Sequence, residues 1–203
     1  QNLQPVYKKN GEAEIPEREV PLKGYRGNGP VRIGNAAYYQ KQYDSFGQVI
    51  LSLLPLYMDE RIIHREQMLD LDPISKLLAE IEIRMDEPDA GIWEFRGKIE
   101  KHVETYAFHW AGAKAGLKIA QHYGDPELEK LASRVVKLAA ENIEKCYSPE
   151  MECYMADQAL NYYDASAFLL IVLNYLHPED PRTIKHFKRL EEELLTPEGM
   201  IFR

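Results

Sequence analysis

The chain has 203 residues, 45% of them hydrophobic and 29% charged, which is enough apolar material for one large globular domain or two small ones. Its 33 acidic and 25 basic residues leave a net charge of −8, which argues against a nucleic-acid footprint and against docking on an anionic membrane. No apolar run approaches the roughly 18 residues of a membrane helix, and the longest, AFLLIVL at Ala167 to Leu173, fits a buried core helix.

Residues 1–35 carry Pro5, Pro16, Pro21, Gly24, Gly27, Gly29, Pro30 and Gly34, so short extended pieces and turns are expected there. This stretch has no apolar core of a signal peptide, which favours a cytoplasmic chain. From Ala36 to about Tyr57, the residues Tyr39, Tyr43, Phe46, Ile50, Leu53 and Tyr57 recur at helical spacing and predict one continuous helix. A second helix starts near Pro73 and runs through Ile74, Leu77, Leu78 and Ile81.

A loop, DEPDAGIWEFRG, separates it from a long helix predicted over about Lys98 to His122, with Ile99, Val103, Tyr106, Trp110 and Leu117 inward. Gly124-Asp125-Pro126 stops that helix and starts the next, which follows Leu128, Leu131, Val135, Leu138 and Ile143. A helix from about Asp164 to Leu176 is apolar nearly all round and is expected to be covered on every side. The last spans about Pro181 to Leu195, with Ile184, Phe187, Leu190 and Leu194 inward, and the terminal Met200, Ile201 and Phe202 also head inward. The fold class is all-α. Helices with apolar surroundings alternate with helices that have a polar back, which suggests part of a two-layer helical toroid, about half of a twelve-helix one.

Trp93 and Glu94 are the first candidates for chemistry. Glycoside hydrolysis needs a protonated carboxylic acid to deliver a proton to the leaving oxygen, and a neighbouring aromatic ring packs on a sugar's apolar face. From the bare residues the dipeptide reads first as a tryptophan in a core beside a solvated glutamate. Upstream, Arg26, Arg32, Asn35, Gln40 and Asp44 line a glycine-rich segment and the helix after it. Either they face a wet pocket, or Arg32 and Asp44 form an internal ion pair. Asp164 reads as a helix N-cap or as a sugar ligand. His102 and His109 read as core or pocket-wall residues rather than metal ligands, since no third ligand is suggested. Asp86, Glu87 and Asp89 read as solvated loop acids. Cys146 and Cys153 flank the turn YSPEME and are expected as free thiols, a local bridge being the alternative.

GYRGNGPVRIGNAAYYQKQYDSFGQV, followed some forty residues later by PDAGIWEFRG, resembles the central region of glycoside hydrolase family 15, which includes glucoamylases, glucodextranases and related trehalases. HVETYAFHWAGAKAGLKIA, YYDASAFLL and the terminal GMIFR resemble later segments of that family, so the likeness runs the length of the chain. It implies an (α/α)₆ catalytic domain, with residues 1–35 as a turn-rich lead-in and 36–203 helical. The activity it implies is inverting release of glucose from the ends of α-glucans or oligosaccharides, with no metal or organic cofactor.

On this pattern Glu94 is the general acid and Trp93 the tryptophan beside it, while Arg32, Asn35 and Arg203 contact substrate. The general base is expected beyond residue 203 and an Arg-Asp pair for the terminal sugar before Gln1, so the 203 residues alone are expected to be inactive. Phe95 stands where many fungal members have a second carboxylate. Trehalose hydrolysis is the alternative on the same fold, and a glucan-binding regulatory module, like those of phosphorylase kinase subunits, is the alternative from another class. Linkage preference and oligomeric state are not encoded in any of these motifs.

Overall fold

A computed structural model of the chain describes residues 3–62 and 69–202. Arg203, expected at a substrate hydroxyl, lies outside the described residues. The fold is all-α, with two small antiparallel ribbons. In the lead-in, β1 (Arg18–Val20) pairs with β2 (Val31–Ile33), Glu19 opposite Arg32. A 3-10 turn over Ala36–Tyr39 follows, and then α1 (Asp44–Met58), α2 (Asp72–Arg84), α3 (Val103–Tyr123) and α4 (Pro126–Glu144). A second ribbon, β3 (Tyr147–Ser148) with β4 (Cys153–Tyr154), leads to a 3-10 turn at Ala165–Phe168, a single α-turn α5 (Leu169–Val172) and α6 (Pro181–Leu194).

The junction of α3 and α4 shows how local chemistry sets the boundaries. Gly124 takes the left-handed conformation, φ 67°, that ends α3. Asp125 then caps α4, its carboxylate accepting the N–H groups of Glu127 at 3.1 Å and Leu128 at 3.0 Å, and Pro126 occupies the first turn, where a missing N–H costs nothing. Asp180 and Pro181 repeat the device at α6.

Helix α3 is the axis of the core. It packs against α4 on one side and α1 on the other, and α2 closes the gap between them. Ile50, Ile74, Leu78, Ile81, Val103, Ile119, Val135 and Ile143 are all sealed from solvent in this cluster. At the crossing with α1 the backbones touch: a Cβ on Gly112 would lie 2.6 Å from Gly47 Cα, and one on Gly47 would lie 2.1 Å from the Phe108 carbonyl oxygen. Only glycine fits at either position.

Several expectations change. The predicted helix over 36–57 splits, because the chain turns through Gln40–Gln42 and α1 begins at Asp44, leaving Tyr39 exposed. The long helix starts at Val103 rather than Lys98, since 98–102 runs extended beside two partners, Glu100 bridging to Asp89 and His102 to Asp157. Ile99, placed inward by its spacing, is 60% exposed. The predicted helix over Asp164–Leu176 is two short turns, and Val172 is 73% exposed rather than covered.

In α6 the core face is Thr183, His186, Leu190 and Leu194, while Ile184 and Phe187 face solvent. His186 turns inward because it is fully satisfied there. Its Nε2–H donates to the Ala167 carbonyl at 3.1 Å, and Nδ1 receives the Tyr154 N–H at 3.3 Å, with Cys153 Sγ at 3.1 Å. The terminal segment folds back as a tight turn, Leu195 bridging Ile201, with Met200, Ile201 and Phe202 exposed rather than inward. Cys146 and Cys153 are buried free thiols, and burial pushes both above the usual range. Among the described residues no helix is long and apolar enough to cross a membrane.

Candidate active site

The loop that carries Glu94 is tied at both ends and along its length. Asp89 and Glu100 exchange backbone hydrogen bonds of 2.9 Å, which pinch residues 90–99 into a closed excursion between α2 and α3. The Ala90 N–H donates to the Lys41 carbonyl at 2.9 Å, and Gln40 Nε2 donates to the carbonyls of Glu94 and Phe95 at 3.3 and 3.4 Å. Arg96 makes two bonds to the Glu17 carboxylate, at 3.0 and 2.9 Å. The turn Gly91–Glu94 closes with the Glu94 N–H on the Gly91 carbonyl at 3.2 Å. Glu94 sits in the left-handed region at φ 54°, rare for a residue with a side chain and sustained only where the surroundings over-determine it.

Glu94 is exposed and lines an open cleft of about 410 Å³. Asn35, Gln40 and Arg96 give the cleft hydrogen-bonding edges, and Tyr39, Phe95 and Ile99 give it apolar ones. That mixture suits a ligand with hydroxyl groups around apolar ring faces.

Of the predicted site residues, the structure brings Glu94 and Asn35 to one cleft. Asn35 also caps the 3-10 turn beside it, its Oδ1 accepting the Ala37 N–H at 2.9 Å. Trp93 is adjacent in sequence but does not line the cleft, and its indole N–H donates to Asp164 Oδ1 at 2.8 Å. Asp164 thus joins the loop and also caps the turn at Ala165, accepting the Ser166 N–H at 2.7 Å. Arg32 pairs not with Asp44 but with Glu17 and Glu19, both at 3.1 Å, on the β1–β2 ribbon. It reaches the cleft only through Glu17, which also holds Arg96 and the Ala36 N–H.

Beneath the loop lies a layer of buried acids. Asp89, read from sequence as a solvated loop acid, is buried. Its Oδ2 accepts the Tyr43 N–H at 2.7 Å, its Oδ1 accepts the Gly91 N–H at 3.1 Å, and the Thr105 hydroxyl donates to it at 3.1 Å. Burial pushes its carboxyl up to about 7 against the pull of those donors. Glu104, on the first turn of α3, accepts the Ile92 N–H through Oε1 at 3.1 Å, and burial drives it well above the usual carboxylate range. Asp44, bonded by the Gln48 amide, is pushed up by burial to about 6. Glu87, partly exposed at the edge of this layer, accepts the Tyr43 hydroxyl, which holds its carboxyl below the ordinary value.

His102 and His109 are core residues. Burial lowers both, His109 to about 4, and His109 Nε2–H donates to the Tyr43 carbonyl at 2.9 Å. Among the described residues no group of three or more His, Cys, Asp and Glu side chains is arranged to hold a metal ion.

Sequence reasoning missed Arg96, Gln40 as a loop anchor, and the acid layer. Glu104 left a legible signal, an acid on a helix whose other first-turn residues are apolar or small. Asp89 left a weaker one, an Asx two residues ahead of a turn glycine.

The sequence model of glycosyl hydrolases family 15 matches residues 1–201. The trehalase of Mycobacterium tuberculosis is 31% identical over 99% of this chain and 29% of its own length. The trehalases of Thermoplasma acidophilum and Thermoplasma volcanium are 27% and 25% identical, again over 99% of this chain, with 34% and 32% of their own lengths covered. The chain therefore spans about a third of the length of the curated relatives it matches. No solved structure matches it significantly. With a single family model spanning residues 1–201 and an all-α fold that sets an exposed glutamate on a braced loop at a cleft, the chain belongs to glycosyl hydrolases family 15.

Proposed function

We propose that these residues supply the proton-donating side of an inverting glycoside hydrolase whose substrate is α,α-trehalose. The family carries the hydrolase class, and the relatives named trehalase move the substrate from the starch-type glucans first expected to trehalose. Glu94 is the general acid. It delivers its proton to the oxygen between the two glucose units as the bond to the anomeric carbon breaks, and that glucose leaves neutral.

A second carboxylate, about 6.5–9.5 Å away in inverting enzymes, activates the water that attacks from the opposite face. Asn35, Gln40 and Arg96 offer hydrogen bonds to sugar hydroxyls, and Tyr39 and Phe95 offer apolar surface to the ring. Arg32 keeps Glu17, and through it Arg96, in place. Arg203 remains assigned to a substrate hydroxyl.

The observation that carries this reading is the placement of Glu94: exposed, at the cleft, on a loop pinned at nearly every residue. Glucose release by the full-length protein from trehalose, maltose and isomaltose tests it, with wild type and Glu94→Gln compared. Trehalose should be the preferred substrate, and the variant should lose at least roughly a hundredfold in kcat, the range of a missing general acid. Wild-type protein that binds these sugars but cleaves none would replace the hydrolase with a glucan-binding module. Preference for maltose would restore the glucoamylase reading.

A further inference from the structure

Three successive residues ahead of Glu94 are each held by a different carboxyl group. The Gly91 N–H donates to Asp89 of the loop itself, the Ile92 N–H to Glu104 of α3, and the Trp93 indole N–H to Asp164, seventy-one residues further along the chain. The first two are backbone bonds and fix the path of the turn. The third is the one side-chain bond of the set, and it fixes how the Trp93 ring is rotated about its own Cα. With the ring anchored, the Trp93 Cα, from which the peptide to Glu94 begins, is tied to the turn at Asp164. Since Glu94 stands in the left-handed region, a conformation its own backbone does not favour, its direction depends on what holds the residue before it.

Asp164 could be a cap for the Ala165–Phe168 turn and nothing more. Capping, however, is served about as well by serine or asparagine. The indole N–H is a donor with no acceptor capacity, and here it meets an acceptor that is itself 3% exposed, shared with the Ser166 N–H on a single oxygen. The acceptor end of this bond is closed to solvent, which limits how far the ring can swing.

We infer that Asp164 is a positioning residue for the acid, acting through the Trp93 indole to aim Glu94 at the leaving oxygen; this rests on the hydrolase reading above. An acid turned away from its proton acceptor weakens the transition state while leaving substrate binding intact, so the loss falls on kcat rather than KM.

The test uses the full-length protein and whichever of trehalose, maltose or isomaltose the wild type cleaves. Asp164→Ser keeps a cap but is too short to reach the indole, Asp164→Asn keeps an oxygen at the same distance, and Trp93→Phe removes the donor alone. Asp164→Ser and Trp93→Phe should each lower kcat roughly 10- to 100-fold with KM within about threefold. The double variant should be no worse than the poorer single, because the two act as one unit. Asp164→Asn should recover kcat to within about threefold of wild type.

The inference is overturned if Asp164→Ser retains wild-type kcat, or if its loss multiplies in full with that of Trp93→Phe. Should Asp164→Ser fail to fold, the contrast between Trp93→Phe and Asp164→Asn decides, and equal losses in those two reject the geometry. Failure of the underlying reading looks different: wild type is then inert on all three sugars, or Glu94→Gln stays active.

Discussion

The α1–α3 crossing and the loop that carries Glu94 sit side by side and are held together in opposite ways. At the crossing, Gly47 and Gly112 bring two backbones into contact and the surrounding side chains are apolar, so stability comes from close packing and from the absence of two side chains. The loop buries little apolar surface. It is held by directed hydrogen bonds to Asp89, Glu104, Asp164, Gln40 and Glu17. Packing tolerates chemistry of the right volume, whereas directed bonds tolerate volume changes but not loss of an acceptor. A glutamate that aims one oxygen, the role proposed for Glu94, is served by the second arrangement and rests on a scaffold built the first way.

The sharpest way to break this contrast is Gly112→Val. Its side chain must displace the α1 backbone, so the loss of stability should reach about 3 kcal/mol or more, the upper range for overpacking. A shift in urea midpoint of that size, with no selective change in kcat among molecules still folded, would place the crossing in the scaffold. An unchanged midpoint would mean that the helices separate easily there.

Gly91→Ala probes the loop with a smaller insult. Gly91 has φ 65°, and a Cβ would lie 2.8 Å from Glu104 Oε1 and 2.9 Å from the His102 ring. The left-handed backbone should cost about 1–2 kcal/mol, and pushing Glu104 off the Ile92 N–H should lower kcat about tenfold. Loss of stability without loss of kcat would show that the Glu104 bond does not steer the acid.

A further effect is expected in the pH dependence of stability. Asp44 has a folded-state pKa of about 6 against an ordinary 3.8, so its favourable contribution is complete below 3.8 and is lost as pH rises through about 6. Asp89 behaves alike up to about 7. His109 and His186, both pushed down to about 4 from 6.5, run the other way: their contribution is present above 6.5 and is lost as pH falls through about 4. Asp44→Asn cannot ionise, so relative to wild type it should gain about 1–3 kcal/mol between pH 4 and 8. Urea midpoints across that range check it, and parallel wild-type and variant profiles would mean that Asp44 stays ionised in its buried site.

Much of the scaffold could be read directly from the residues. Helix α2 followed from Ile74, Leu78 and Ile81, and the junction of α3 and α4 from Gly124-Asp125-Pro126, because caps and periodic apolar faces act within one or two turns of chain. Family membership and the exposed Glu94 on its loop were also legible, since both reside in short contiguous motifs.

Tertiary structure decided what depended on a distant partner. In α6 the spacing accommodates two adjacent stripes, and His186 faces inward because Cys153, Tyr154 and Ala167 are there to meet it, while the Thr183 hydroxyl donates to the His177 carbonyl at 2.6 Å. Ile99 satisfied a helical period, yet its segment is pulled extended by Asp89 and Asp157. Asp89 read as a solvated acid, and Asp164 as a cap or a sugar ligand, until Tyr43 and Trp93, 46 and 71 residues away, were brought to them. The sequence by itself determined the helix boundaries that local caps set, such as those at Gly124-Asp125-Pro126 and Asp180-Pro181, and the loop that carries Glu94. Only the folded chain decided which faces are buried and which carboxyl groups hold that loop, because burial and long-range hydrogen bonds belong to pairs of segments rather than to either alone.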